Sequence, residues 1–161
     1  MAGFFFFLYG ENRPKIIIVE PNRADCLFRT AKANDGTLHS VTGDLHTIMA
    51  GLACGEPCSI GWKVLESVAD GFLSVPESVA ADGMRILASP CWGDSPIVSG
   101  ESGAAAFGAA ANILLDQELA DMKQQLGLDA HSRLLFISTE GDTDKENYRS
   151  IVWDGKYPSL T

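Results

Sequence analysis

Hydroxyl and acidic side chains follow an apolar run late in the sequence, in the segment LLFISTEGDTD at residues 134–144. The apolar run SRLLFIS predicts a buried parallel strand, which would place Ser138 and Thr139 at its C-terminal end. Open α/β sheets bind their ligands in the crevice beyond the carboxyl ends of the strands. The two hydroxyl groups are therefore candidate ligand contacts.

The acidic residues that come next have a simpler structural explanation. Thr143 and Glu146 have the spacing of a capping box, in which Thr143 caps a helix and Glu146 reaches back to it. This pattern predicts a helix start that needs no function. An alternative hypothesis is a metal-dependent phosphate enzyme built on GDTD, but a second acidic cluster at ligand spacing is missing, as is the regular Asp ladder of a calcium site.

A second group of polar residues lies in SGESGAAAFG at residues 99–108. Ser and Glu at a predicted helix start indicate either an anion held by backbone amides or an ordinary cap, with the glycines allowing close packing. The segment is not a dinucleotide fingerprint, because no G-x-G-x-x-G follows a strand.

The four cysteines do not form a recognisable zinc set, and the histidines are not placed to complete one. We predict buried free thiols, because cysteine favours protein interiors. A pairing of Cys26 with Cys54 is left open, since sequence alone does not decide it.

The elements that would position these residues alternate between strands and helices. Strands are predicted at KIIIVEP, GFLSVP and SRLLFIS, and helices at MAGFFFFLYG (as a core helix), NRADCLFRTAKA (with Asn22 as its N-cap), DLHTIMAGLACGEP, GWKVLESVAD, ESVAADGMRILASP, ESGAAAFGAAANILLDQE, ELADMKQQLGL and DKENYRSIVWDG. This order predicts an α/β fold with a mainly parallel sheet and flanking helices, in a single domain over residues 1–161. Three strands are few for such a sheet, which indicates a missing partner segment.

The composition predicts a globular protein, with 161 residues, 46% hydrophobic and 20% charged. The net charge of -9 disfavours nucleic acid and anionic membrane surfaces as partners. The first residues, MAGFFFFLYG, lack the basic region and cleavage site of a signal peptide and are too short to span a membrane. A cytoplasmic location is the expectation.

The chain resembles the diaminopropionate ammonia-lyases, pyridoxal phosphate (PLP) enzymes of fold type II related to the tryptophan synthase β family. The resemblance is carried by KIIIVEPNRADCLFRTA, TIMAGLACGEPCSIGW, MRILASP, SGESGA and ISTEGDTDKENYRSIVWDGK. It implies the C-terminal part of such a fold and a homo-oligomer. It also implies a small amino-acid substrate, 2,3-diaminopropionate, which is converted to pyruvate and ammonia by α,β-elimination.

The resemblance also implies roles for four residues. Ser138 is the first candidate to face the pyridine nitrogen of PLP and Thr139 is the second. Glu101 and Ser102, in the segment ESGA, are implied to lie near the cofactor or the substrate. A hydroxyl group has too high a pKa to keep the ring nitrogen protonated, which favours prompt β-elimination over transamination.

Two features of such an enzyme are not found in the sequence, namely the motif of the Schiff-base lysine and most of the glycine-rich phosphate loop. Lys15 precedes a predicted strand, and Lys32, Lys63 and Lys123 fall on predicted helices. The expectation is a C-terminal portion that is inactive alone. The alternative hypothesis is a non-catalytic assembly or regulatory module derived from the same fold.

Overall fold

The computed structural model describes residues 1–159, and within them seven α-helices and two β-strands form two compact units. The first unit comprises Met1–Thr47 and Leu52–Val75, and the second comprises Ile48–Gly51 and the residues from Pro76 on. Among these helices, none combines the length and the apolar character that crossing a membrane requires. The prediction of one domain over the whole chain stays a prediction.

The first unit is a strand–helix–helix–strand arrangement preceded by one helix. Its elements are α1 (Ala2–Tyr9), β1 (Ile17–Pro21), α2 (Cys26–Ala33), α3 (Ser59–Val68) and β2 (Gly71–Val75). β1 pairs with β2 in parallel, with Ile17 opposite Gly71 and Pro21 opposite Val75. These elements confirm the strands predicted at KIIIVEP and GFLSVP, and with them the α/β class.

Helix α1 forms where it was predicted, but the prediction that it is a core helix is wrong. None of its residues is buried, and Phe7 is 84% exposed. The helix carries apolar side chains on all of its faces, so it has no polar face to turn towards water. The sequence pattern therefore predicted the helix correctly, whereas burial depends on neighbouring elements that the pattern does not contain.

Helix α2 is capped by a residue of the preceding strand, and the prediction that Asn22 caps it is wrong. The helix begins at Cys26, and its first free amides, those of Leu27 and Phe28, donate to the two carboxylate oxygens of Glu20 at 3.1 and 2.7 Å. Glu20 is only 8% exposed. A buried carboxylate is stable here because backbone amides and the positive end of the helix dipole surround it.

The prediction of buried free thiols holds for Cys26 only. All four cysteines are free, so Cys26 and Cys54 do not pair, and the three others are exposed. The Cys26 thiol donates to Oε1 of Glu20 at 3.7 Å. Burial, reinforced by the negative charge of Glu20, raises the pKa of Cys26 to about 11.

Cys26 is therefore expected to resist alkylation. Only about 0.1% of a thiol with this pKa is ionised at pH 8, so Cys26 should react with iodoacetamide at least about 100-fold more slowly than Cys54, Cys58 and Cys91. Mass spectrometry of the labelled chain over time measures the four rates. In urea, which removes burial, the four rates should converge. Equal rates in the folded chain would contradict the assigned environment.

The second unit contains four helices and no strand within the residues described. Its helices are α4 (Glu77–Ala88), α5 (Glu101–Leu115), α6 (Ala120–Leu126) and α7 (Lys145–Val152). All four were predicted, and α6 ends at Gly127 in the left-handed conformation that suits glycine. The segment DLHTIMAGLACGEP, also predicted to be helical, forms only a 3₁₀ turn at Ala50–Leu52.

Helices α4 and α5 cross at two glycines. A Cβ atom on Gly83 would lie 2.5 Å from the carbonyl oxygen of Ala104, and one on Gly108 would lie 2.0 Å from that of Val79. The backbones touch because neither position has a side chain. Beside this crossing, a small core is formed by the buried residues Ala81, Met84, Ala104 and Ile151.

The strand predicted at SRLLFIS does not form within the residues described. Residues 132–140 have no regular secondary structure and no paired strand, and Leu135 is 72% exposed. The local pattern of the segment is that of a strand, but a strand exists only when another strand offers hydrogen bonds to it. Ser138 and Thr139 consequently lie in a segment without regular secondary structure and not at the end of a strand in a sheet.

Candidate functional site

The candidate site lies at the N-terminus of α5, where the first turn of the helix meets residues 138–141. Gly100 is the N-cap residue and contributes no side chain, so the exposed ends of the first amides need an acceptor from elsewhere. The acceptor is Glu140. Its carboxylate oxygen Oε1 accepts from the amide nitrogens of Ser102 at 2.6 Å and Gly103 at 3.2 Å.

The backbone of Glu140 makes two further contacts in the same place. Its carbonyl oxygen accepts from the amide of Gly100 at 3.1 Å and from the hydroxyl of Ser138 at 3.1 Å. A single residue thus caps α5 with its side chain and holds Ser138 with its main chain. Sequence reasoning did not single out Glu140, although an acid two residues after Ser138 was the available signal.

Of the four predicted site residues, only Ser138 has a side-chain hydroxyl group that contacts a second hydroxyl group. Its Oγ lies 2.8 Å from Oγ of Ser99, which is fully buried, whereas Ser138 itself is exposed. A Cβ atom on Gly103 would lie 2.7 Å from both oxygens. The absence of a side chain at Gly103 therefore makes room for the Ser99–Ser138 pair. Thr139 is exposed beside it.

Glu101 and Ser102 lie in the first turn of α5 and connect it to other parts of the second unit. Oε1 of Glu101 accepts a short hydrogen bond from the side-chain amide of Asn147 in α7. Oγ of Ser102 accepts from the amide of Gly51 at 3.0 Å. Gly51 and helix α7 thus fix the position of this turn. Asn147 and Gly51 carried no signal in the sequence, because both contacts are long-range.

The start of α7 was predicted one residue too early. Asp144, and not Thr143, is the N-cap residue, and its Oδ1 accepts from the amide of Asn147 at 2.9 Å. Asp and Thr are both good N-cap residues, so the local sequence allowed either. The cap places Asn147 in the first turn of α7, facing Glu101.

The chemical character of the site follows from these contacts. Ser138 offers a neutral hydroxyl group to solvent, and the nearby carboxylate of Glu140 is already engaged by two amides. The O–H of Ser138 is engaged by the Glu140 carbonyl, and it can donate to another uncharged acceptor only by leaving that carbonyl. Among the described residues, no group of three or more His, Cys, Asp or Glu side chains is arranged to hold a metal ion.

Known proteins are similar to this chain in both sequence and fold. The chain is 46% identical over 157 residues to a diaminopropionate ammonia-lyase of Salmonella typhimurium. The aligned region covers 97% of this chain and 39% of the relative. The crystal structure of the Escherichia coli diaminopropionate ammonia-lyase in complex with D-serine matches 98% of this chain and 38% of that one, with 39% identity and a TM-score of 0.86. A threonine deaminase of Solanum lycopersicum, at 17% identity and a TM-score of 0.73, shares the fold.

The chain thus spans about 39% of the length of the curated relative that it matches. The prediction of a fold-type II architecture is confirmed by these structures. The family model described as "Pyridoxal-phosphate dependent enzyme" matches residues 1–128, which is most of the chain. The chain belongs to the family of pyridoxal-phosphate dependent enzymes.

Proposed function

We propose that this chain forms the pyridine side of a PLP site in a carbon–nitrogen lyase that acts on 2,3-diaminopropionate. The observation that carries the proposal is the exposed hydroxyl of Ser138, held between Ser99 and the Glu140 carbonyl in a chain that is 46% identical to a diaminopropionate ammonia-lyase. When bound, PLP supplies an electron sink for negative charge at the α-carbon of an amino acid.

The residues of the site fit such a group through their donor chemistry. The single O–H of Ser138 donates to the Glu140 carbonyl in the ligand-free chain, so a contact with a ring nitrogen requires the O–H to turn away from that carbonyl while the oxygen accepts from Ser99. The hydroxyl leaves the nitrogen unprotonated, since its own pKa is far above neutrality. Thr139 is the second candidate for the same contact. The backbone around Gly103 provides the space that this arrangement needs.

Glu101 and Ser102 are proposed to shape the wall beside the cofactor or the substrate. Both are partly buried, and both already bond to neighbouring segments of the second unit. Their proposed role is to hold the first turn of α5 in place and to exclude water from it. The small amino-acid substrate, and a role in amino-acid catabolism, are part of the same proposal.

The proposal is tested in a full-length setting, because the relative is much longer than this chain. The 157 aligned residues of the Salmonella typhimurium lyase are replaced by those of this chain, and pyruvate release from 2,3-diaminopropionate is measured. We expect activity above that of a chimera carrying Ser138→Ala and Thr139→Ala. A soluble, PLP-loaded chimera that releases no pyruvate would contradict the proposal.

We further propose that the chain self-associates. Helix α1 supports this idea, since Phe4, Phe7 and Tyr9 are between 53% and 84% exposed, and an apolar patch of this kind marks an interaction surface. The same exposed helix favours the second candidate function, a non-catalytic assembly module. Light scattering of the purified chain should give more than the 17.2 kDa of one copy. A stable monomer would count against self-association.

A cytoplasmic location is also proposed. All four cysteines are free thiols, which is typical of proteins in a reducing compartment. Fractionation of cells that express the protein should recover it with cytoplasmic markers, and recovery with periplasmic or secreted markers would contradict the location.

A further inference from the structure

We propose that Glu140 is the positioning residue of the Ser138 hydroxyl, acting through its carboxylate on the first turn of α5. The inference rests on the proposed function, because Ser138 matters to catalysis only if it faces a ring nitrogen. It goes beyond that function by assigning a role to a residue two positions away from Ser138.

The carboxylate of Glu140 is held in place by the first turn of α5. Glu140 has no neighbouring strand to fix it, because residues 132–140 form no paired strand. What fixes it are the hydrogen bonds of Oε1 with the amides of Ser102 and Gly103, at 2.6 and 3.2 Å. These amides belong to a 15-residue helix, whose N-terminal partial positive charge strengthens both bonds.

The anchored side chain of Glu140 in turn fixes the position of its own carbonyl oxygen beside the Ser138 hydroxyl. Once the side chain is anchored, the carbonyl oxygen of Glu140 lies 3.1 Å from Oγ of Ser138 and 3.1 Å from the amide of Gly100. In the ligand-free chain Ser138 donates to this carbonyl and can accept from Oγ of Ser99, and the second contact is kept when the O–H turns to a ring nitrogen. Two partners select one side-chain rotamer, whereas an exposed serine with fewer partners samples several.

The packing around the anchor leaves little freedom. A Cβ atom on Gly100 would lie 2.6 Å from the carbonyl oxygen of Gly141 and 2.9 Å from Cγ of Glu140. The loop therefore lies directly on the helix backbone. A carboxylate on a side chain one methylene shorter does not reach the same two amides without moving this loop.

The same hydrogen bonds keep the Glu140 carboxylate away from a direct catalytic role. Its Oε1 is engaged by two amides, so the carboxylate is directed into the helix N-terminus and not towards the space that Ser138 faces. Glu140 is for this reason a positioning residue and not a catalytic residue.

The test compares Glu140→Ala, Glu140→Gln and the control Glu146→Ala in the full chain. Glu146 is an exposed acid in the first turn of α7, so its removal changes the net charge equally. The first readout is the side-chain rotamer of Ser138, measured by three-bond NMR couplings without any ligand. Glu140→Ala should average the couplings over several rotamers, whereas Glu140→Gln, whose amide oxygen still accepts from the two amides, should restore the single rotamer.

The second readout is the binding of pyridoxine 5′-phosphate, which has the PLP ring but no aldehyde. Glu140→Ala should weaken binding about fivefold, while Glu140→Gln and Glu146→Ala stay within about twofold of the unchanged chain. A single Ser138 rotamer in Glu140→Ala would overturn the inference. If the unchanged chain does not bind the probe but the rotamers respond as expected, the proposed function fails and the positioning role stands.

Discussion

Gly108→Ala is expected to destabilise the second unit by about 3 kcal/mol, the upper end of what overpacking costs. The added Cβ would lie 2.0 Å from the carbonyl oxygen of Val79 and 2.9 Å from its carbonyl carbon. Both atoms belong to the backbone of α4, so no side-chain rotation relieves the clash. The two helices must separate, which opens the contact of Ala104 with the core.

Urea unfolding of the full chain measures this effect as a lower midpoint. Gly61→Ala is the matched control, since Gly61 is also helical but its added Cβ would meet only the Cys58 side chain, at 3.5 and 3.7 Å. Alanine is the better helix former by about 1 kcal/mol, so the control should be neutral or stabilising. A Gly108→Ala midpoint equal to that of the unchanged chain would show that α4 and α5 do not pack as described.

Arg85→Ala is expected to cost about 3 kcal/mol, because it leaves several backbone carbonyls without their charged donor. The guanidinium group donates to the carbonyl oxygens of Ile151 at 3.0 Å, Lys156 at 3.1 Å and Tyr157 at 2.9 Å. It also pairs with Asp82 at 2.8 Å. The carbonyl of Ile151 lies in the last turn of α7, where helices lack internal donors.

The measurement combines urea unfolding with hydrogen exchange of residues 150–157. Arg85→Lys should recover only part of the stability, since an ammonium group does not provide the forked donors of arginine. Arg29→Ala is the matched control, because its side chain is 49% exposed and pairs with Asp25 within one helix turn. Asp25 is buried but keeps the hydrogen bond from Ser74, so this control should cost less than Arg85→Ala, which leaves three carbonyl oxygens without their donor. Equal losses for Arg85→Ala and Arg29→Ala would contradict the assigned role.

Much of the fold could be predicted from the sequence, because its helices and both of the strands described have recognisable local patterns. The β-branched run before Pro21 and the amphipathic segments of α3 and α4 form as predicted. Two of the errors concern long-range contacts. Glu20 caps α2 from a preceding strand, and SRLLFIS remains unpaired among the residues described. Local periodicity contains neither the cap nor the partner strand.

In the candidate site, too, local sequence indicated some residues, whereas long-range contacts were not predicted. Ser138 was selected both from the end of a predicted strand and through resemblance, and Glu101 and Ser102 through resemblance; all three lie in one unit around the first turn of α5. Glu140 was not selected, because the amides that it caps are 37 and 38 residues away in sequence. The sequence therefore indicated candidate residues, whereas only the fold shows which of them are in contact with each other and with Glu140.

The central claim is that Ser138 presents its hydroxyl to the ring nitrogen of PLP, and an NMR titration of the chain with pyridoxine 5′-phosphate tests it most directly. We predict that the largest amide shifts occur at Ser138, Thr139 and the first turn of α5, and that Ser138→Ala weakens binding about fivefold through the loss of one hydrogen bond. Binding of equal strength to Ser138→Ala, with the largest shifts confined to the first unit, would contradict it.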